Sequence, residues 1–412
     1  MTFLIAAFIV ILDITCLWGI KLLFPQFASR HGRGLRLSFI IQSATALTIV
    51  LGGYFFDMLI KDYRIVTIYY YIFGIMSSLY IPKSAFALFL FFDWAFLKIK
   101  KWYLRKFNKL PKRTRHLVSV FGFWTSIPVF GIIIWGIAFG RFNFTVEHVE
   151  IKITNLPKDF EGYKIVQISD IHTGSFAGLA HRFEKAVSMI NEQNPDIIVI
   201  TGDFVNNFAD EMSPFIPVFS HLNARDGKFA VLGNHDYGGY SKWKNIADSI
   251  YNHKAIINGI EQMGFDLLNN ESKILTRCDS SQIAIIGIEN QGKLKRHPKR
   301  GDLVKATEQV RDIPVKLLLS HDPTFWDKNV VGKTDIALTL AGHTHGMQLA
   351  LKLGKKRYNP AFIIRSRYLA GLYQKGDQCM YINRGLGVIG FPGRVGMSPE
   401  ITVITLRASN VP

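Results

Sequence analysis

The sequence predicts a chain in two parts: a bundle of about four transmembrane helices over residues 1–144, then an α/β domain over residues 145–412. Three observations predict it. The first third holds long apolar runs with few charges, whereas the rest holds short apolar runs, most of them ending in polar residues. Strand-like and helix-like segments alternate early in that second part, as in α/β folds. Charge divides unevenly: of the formal net +18, +13 lies in residues 1–144, which carry 17 Lys and Arg against 4 Asp and Glu.

A bilayer core needs about 20 apolar residues in helical form. Four stretches qualify, near 2–24, 35–60, 65–97 and 117–140. The first has neither a basic leading region nor a small-residue cleavage site, so it reads as a retained helix. The third holds Pro82 and is too long for one level span, so a kinked, tilted helix running into the interface is expected. Arg30, Arg33 and Arg36 lie in or beside the loop after the first span. Lys98, Lys100, Lys101, Arg105, Lys106, Lys109, Lys112, Arg113 and Arg115 follow the third. The loop between them has only Lys61 and Arg64, with Asp62. Basic loops stay cytoplasmic, which puts the C-terminal domain on the outer or periplasmic side of the cytoplasmic membrane. Because the basic residues sit between apolar segments, anionic lipid headgroups are the expected partner of that loop, and nucleic acid is not expected as a main partner. Asp13 lies deep in the first span, while Asp57 and Asp93 are read as interfacial.

In the second part Val149–Ile153 alternates like a strand, and a turn follows at Leu156-Pro157. Buried strands are then expected at Tyr163–Ile168, Asp196–Ile200, Lys228–Leu232, Ile283–Ile286, Val315–Leu319 and Ile336–Leu340. His181–Asn191 has helical spacing, and Gln378–Leu406 reads as further strands and turns. Five of the strands run directly into chemistry. They lead to Asp170-Ile171-His172, Gly202-Asp203, Gly233-Asn234-His235-Asp236, Ser320-His321 and Gly342-His343-Thr344-His345. Ligands of α/β sheets bind outside the C-terminal ends of strands, so the five loops are expected to converge. Imidazole and carboxylate donors suit Mn, Fe or Zn. Two such ions about 3.5–4 Å apart clamp the attacking and leaving oxygens of a phosphate and lower the pKa of a bound water to about 7. Glycines before Asp203, Asn234 and His343 are expected to let the backbone turn sharply there.

The ordered set resembles the calcineurin-like metallophosphoesterase superfamily, over residues 145 to the end. Leu156-Pro157 and Asn383-Arg384-Gly385-Leu386-Gly387 resemble its membrane-associated branch. The resemblance implies a metallophosphoesterase α/β sandwich with two divalent metal ions. It implies that Asp170, His172 and His345 hold one ion, that Asn234, His321 and His343 hold the other, and that Asp203 bridges them. His235 would meet the scissile phosphate, and Asp236 would orient and charge-stabilise His235. One position departs from the common GDxxD pattern: Asn206 stands in its last place, which implies altered tuning rather than a lost ion.

The implied function is a membrane-anchored phosphodiesterase or phosphatase hydrolysing a phosphate ester by metal-activated hydroxide, with lipid-linked or nucleotide-containing substrates as candidates. Its rivals are a pyrophosphate-cleaving hydrolase of a lipid precursor and a non-catalytic, metal-binding membrane sensor. Taken singly, each motif has a plainer reading. Asp-x-His after a strand is ordinarily a turn, Gly-Asn likewise, and His343 and His345 would share one face of a strand. His148, His181, His221, His253 and His297 are read as structural. Arg365, Arg367, Arg384 and Arg394 are either phosphate contacts or, by default, exposed. The basic loop Lys293, Lys295, Arg296, Lys299 and Arg300 is read as solvated. Phe176, Tyr237 and Trp326 line a groove or pack in the core, and Cys278 and Cys379 are either bridged or free.

Overall fold

The computed structural model describes residues 2–59, 63–107, 116–278, 280–292, 298–354, 356–359 and 367–409. Lys61, Asp62, Lys109, Lys112, Arg113, Arg115, Lys293, Lys295, Arg296, His297 and Arg365 lie outside these residues, as does the Asp57 side chain. The chain separates into two compact units, residues 1–60 with 68–138, and residues 61–67 with 139–412.

The first unit is helical: α1 (Thr2–Leu23), α2 (Pro25–Leu59), α3 (Tyr63–Lys106) and α4 (Leu117–Ala138). All four are long and apolar enough to cross a membrane. Two are longer than the hydropathy suggests. Pro25 opens α2 directly after α1, as its fixed φ favours, so Arg30 and Arg33 lie in helix rather than loop. The 44 residues of α3 span about 66 Å at ~1.5 Å per residue, roughly twice a bilayer core. Hence Lys98–Lys106 are helical too.

Asp93 is buried, and its carboxylate accepts from Ser119 Oγ at 2.9 Å and His116 Nδ1 at 2.7 Å. Asp13 is fully partnered. Lys83 Nζ donates to its Oδ1 at 2.6 Å, and Ser43 Oγ and Tyr80 Oη donate to its Oδ2 at 2.6 and 2.7 Å. Lys83 also donates to Gln42 Oε1 at 2.8 Å.

The second unit is an α/β sandwich. Its strands are β1 (Thr145–Ile153), β2 (Lys164–Ile168), β3 (Ile197–Ile200), β4 (Gly227–Ala230), β5 (Asp266–Leu267), β6 (Glu271–Arg277), β7 (Ser281–Gly287), β8 (Lys316–Leu319), β9 (Ile336–Ala341), β10 (Leu351–Leu353), β11 (Lys356–Tyr358), β12 (Gly371–Lys375), β13 (Gln378–Ile382) and β14 (Glu400–Ala408). Among the described residues they form two six-stranded sheets, β1-β14-β2-β3-β4-β5 and β12-β13-β9-β8-β7-β6, and a hairpin β10-β11. Helices α5 (Glu184–Asn191), α6 (Ile216–Phe219), α7 (Ile246–Gln262) and α8 (Leu303–Thr307) complete it.

Strand period places the core. Ile197 and Val199 point into the layer between the sheets, where they meet Leu317 and Leu338. Ile198 and Ile200 point the other way, onto Ile190 of α5 and Ile256 and Ile260 of α7. Trp326, Val310 and Ala306 cover the outer face of the second sheet. Full burial of each such aliphatic side chain is worth about 1.5–3 kcal/mol. Phe176 and Trp326 are core residues, with no exposed surface. Cys278 is an exposed free thiol and Cys379 a buried one.

Candidate metal centre

Parallel pairing of β2, β3 and β4, and of β8 and β9, brings five strand ends to one edge of the sandwich. The two sheets are tied together there. Gln167 Nε2 donates to Ala341 O at 2.9 Å, and His321 Nδ1 donates to Thr201 O at 2.7 Å. Asp170 (φ 49°), His172 (φ 49°), Asp203 (φ 57°), His343 (φ 74°) and His345 (φ 52°) all stand in the left-handed region. Each such residue costs on the order of 1–3 kcal/mol, and such costs collect at functional sites.

Two groups of ligand atoms result. Asp170, His172 and His345 form one, and Asp203, His321 and His343 the other; within each, the ligand atoms lie within 4.8 Å of one another. His172 Nε2 is 3.1 Å from His345 Nε2, and His321 Nε2 is 3.2 Å from His343 Nδ1. Asp203 faces both groups, its Oδ2 being 3.6 Å from His172 Nε2 and 3.1 Å from His321 Nε2. Asn234 Oδ1 is buried and has no hydrogen-bond partner among the described residues. An amide oxygen left so is costly, and a cation is the partner that would satisfy it. The donor set and this orphan fit the two-ion centre implied by the resemblance.

The glycines act chiefly by leaving room. Gly202, at φ +90°, does need its turn. Gly233 and Gly342 have no left-handed φ. A Cβ on Gly233 would run into Asp203, and one on Gly342 into Ser169 and Asp170. Gly387 is confined similarly by the Ile171 backbone, and its N–H donates to Asp170 O at 2.8 Å.

The supporting contacts differ from expectation at Asp236. Its carboxylate does not take the His235 ring. It accepts four backbone N–H groups, from Gly233 (2.8 Å), Asp203 (2.9 Å), Phe204 (2.8 Å) and Val205 (3.2 Å). It therefore holds the loop that carries Asp203. His235 Nδ1 donates instead to Asn206 O at 2.7 Å. Asn206 Oδ1 accepts His172 Nδ1 at 3.0 Å, so the Asn still orients a candidate ligand. Beside it, the buried Glu211 accepts the N–H groups of Asn206, Asn207 and Phe208 at 2.5, 3.1 and 3.0 Å.

Arg384 and Arg394 are buried, contrary to the default of exposure. Arg384 pairs with Glu147 (2.8 Å) and Glu400 (2.7 Å). Arg394 donates to the carbonyls of Arg384 and Gly387 at 2.7 and 2.6 Å. Together they brace the segment Asn383–Gly387 against Asp170, and no phosphate role is needed for them. Arg367 is exposed, beside Asp327. Tyr237 is half-buried and donates to Glu289 Oε1 at 3.2 Å.

Electrostatics follows the geometry. Burial works to raise the Asp203 carboxyl, but His321 and His235 hold it well below the usual range. Burial works to lower His321, yet Asp203 lifts it to about 10. Burial, aided by the Asp203 charge, pushes Asp236 up to about 7. Burial likewise pushes Glu211 up to about 7 against its backbone donors.

The calcineurin-like phosphoesterase family model matches residues 163–365. An uncharacterized metallophosphoesterase, YkuE, of Bacillus subtilis (strain 168) is 34% identical over 270 residues, which is 65% of this chain and 86% of the relative. The chain belongs to the calcineurin-like metallophosphoesterases. As a metallophosphoesterase it is a metal-dependent phosphoesterase, and its N-terminal helices make it an integral membrane protein. It is also similar to a transmembrane protein with metallophosphoesterase domain from Danio rerio. That protein is 30% identical over 272 residues, 64% of this chain, and this chain spans only 57% of its length. Phosphodiesterase YaeI of Escherichia coli (strain K12) is 30% identical over 247 residues, 59% of this metallophosphoesterase and 82% of YaeI.

Sequence reasoning missed Tyr240. Its ring stacks on His235 at 4.1 Å and 10°, and its hydroxyl accepts Asn234 Nδ2 at 2.7 Å. The one sequence signal was its place six residues after Asn234, beyond Gly238-Gly239.

Proposed function

We propose that residues 145–412 hydrolyse a phosphodiester at a two-metal centre, and that residues 1–144 anchor it in the cytoplasmic membrane. Asp170, His172 and His345 would hold one ion, Asn234, His321 and His343 the second, and Asp203 both. The observation that carries this reading is the position of Asp203 Oδ2, 3.6 and 3.1 Å from ligand nitrogens of the two groups. The mixed imidazole, carboxylate and amide donors suit Mn, Fe or Zn. Once bound, the ions supply Lewis acidity toward phosphate oxygens and an acidified water.

The chain's own groups do the rest. His235 commits Nδ1–H to the Asn206 carbonyl, so Nε2 is the nitrogen left to face the leaving oxygen, and it would give a proton there only from the imidazolium form, after taking one up from solvent. Asp236 keeps Asp203 in place through the backbone, and Asn206 and Thr201 O fix the His172 and His321 rings. A diester is favoured by the name of the Escherichia coli relative, a phosphodiesterase. The anchor favours an ester carried by the membrane, as in a lipid-linked substrate. The basic residues Arg30, Arg33 and Lys98–Lys106 favour an outward-facing catalytic unit.

The test is hydrolysis of bis(p-nitrophenyl) phosphate by the full-length protein in detergent with Mn²⁺. Asp203→Ala is expected to lose activity and much of the metal. His235→Ala is expected to keep both ions and lose about 10²–10⁴ in kcat. A His235→Ala protein stripped of metal, or a metal-loaded wild type inert toward mono- and diesters, overturns the reading. For sidedness, Cys278 is an exposed thiol while Cys16 and Cys379 are buried. An impermeant maleimide should label Cys278 in intact cells; labelling only after permeabilisation reverses the topology.

A further inference from the structure

We infer that Tyr240 is a positioning residue for two neighbouring groups of the centre, the amide of Asn234 and the ring of His235. The inference rests on the two-metal reading above.

An Asn side chain has an oxygen end and a nitrogen end of nearly the same shape. As a metal ligand it must present the oxygen, because the amide N–H groups repel a cation. Here Asn234 Nδ2 donates to Tyr240 Oη at 2.7 Å, while Oδ1 is buried without a hydrogen-bond partner among the described residues. The hydroxyl thus occupies the nitrogen end and leaves the oxygen end for the ion. The aromatic ring of the same residue lies parallel to His235 at 4.1 Å. His172 meets the His235 ring edge-on at 4.9 Å and 84°. The imidazole is therefore held between a candidate ligand and Tyr240, with its Nδ1 tied to Asn206 O.

The loop that brings Tyr240 there is itself fixed. Gly238 N–H donates to His235 O at 3.0 Å, and Gly238, at φ +65°, turns the chain back. Trp243 Nε1 donates to Gly238 O at 2.9 Å and packs edge-on against Phe208 at 5.6 Å. A side chain at 238 would run into Trp243, whose Cζ2 lies 2.8 Å from the Cβ position. A phenol on a loop closed this tightly arrives already placed, as groups that orient metal ligands must be.

The experiment separates the hydroxyl from the ring. Full-length wild type, Tyr240→Phe and Tyr240→Ala are stripped with chelator in detergent, then titrated calorimetrically with Mn²⁺. kcat and KM are measured with bis(p-nitrophenyl) phosphate at saturating Mn²⁺. Tyr240→Phe keeps the ring and removes the acceptor. It is expected to bind one of the two ions about 10–100-fold more weakly, with kcat at saturating Mn²⁺ close to wild type. Tyr240→Ala is expected to show the same metal defect and, in addition, a kcat up to about 100-fold lower, the scale of a reacting group misplaced by ~1 Å. If wild type binds two ions and Tyr240→Phe binds both unchanged, the positioning role is wrong although the two-metal reading stands. If both variants alter only KM, Tyr240 contacts substrate and the inference is likewise overturned. A wild type that does not bind two ions removes the two-metal reading itself, and this inference with it.

Discussion

Replacing Asp236 by Asn distinguishes the backbone role shown by its contacts from the role its place after His235 suggests. Asp236 Oδ2 accepts Gly233 N–H and Asp203 N–H, and Oδ1 accepts Phe204 N–H and Val205 N–H. The side chain is wholly buried, so no water replaces a lost acceptor. An Asn keeps one oxygen and turns an NH₂ toward the other pair, so two of the four backbone donors lose their acceptor. At about 1–3 kcal/mol for each buried donor so stranded, the loss is about 2–6 kcal/mol. Because two of those donors are Asp203 N and its successor, the Asp203 carboxylate should shift as well and metal affinity fall about 10–100-fold. The assay pairs thermal unfolding of the metal-free full-length protein with a Mn²⁺ titration. If Asp236→Asn leaves the thermal midpoint and both metal affinities intact while kcat falls, then Asp236 acts on His235 and the backbone account is refuted.

Two further outcomes are expected. Burial lifts Glu211 from 4.5 to about 7, so the folded chain retains a proton that the unfolded chain has released, and stability declines as pH rises from about 4.5 through 7. Asn206→Asp would add a second carboxylate beside it and steepen that decline, measured as the difference in thermal midpoint between pH 5 and pH 8. An unchanged difference refutes the coupling. In the helical unit, Lys83→Met leaves Asp13 buried without its cation and should cost about 3–5 kcal/mol, whereas joining it with Asp13→Leu should restore most of the loss. The fraction of full-length protein still folded after heating in detergent is the readout, and a double variant no better than the single one would count against the pairing.

Much of this architecture was legible because two strong regularities mark it. Apolar length alone identifies four helices able to cross a membrane. The residues of the candidate metal centre are legible because each motif follows a short apolar run, and parallel strands deliver such loops to one edge. What was not legible depends on distant partners or on blurred patterns. Arg384 finds Glu147, 237 positions earlier in the chain, and nothing local marks it as buried. Helix α7 mixes buried Asn252 with exposed Ile246, Ile250 and Tyr251, which hides its amphipathic face. Strand β6 pairs antiparallel to β7 at a sheet edge, with mostly exposed or half-exposed residues. Hydropathy ends near residue 97, whereas helix α3 runs on to Lys106. The contacts of Asp236 depend on how two loops meet, and adjacency to His235 pointed elsewhere.

The Asp13–Lys83 pair joins residues 70 positions apart, and this bears on how the chain is made. The first helix leaves the ribosome carrying an acid whose counter-ion has yet to be synthesised. Ser43 and Gln42 of the second helix arrive before the lysine, but they bring no positive charge. Until the third helix is translated, the acid in α1 lacks the cation it pairs with in the folded unit, a cost of about 2.5–3.5 kcal/mol at a span centre that the apolar residues around it must offset. A nascent chain that includes α3 gains the Lys83 contact to Asp13, which one cut before residue 83 does not have.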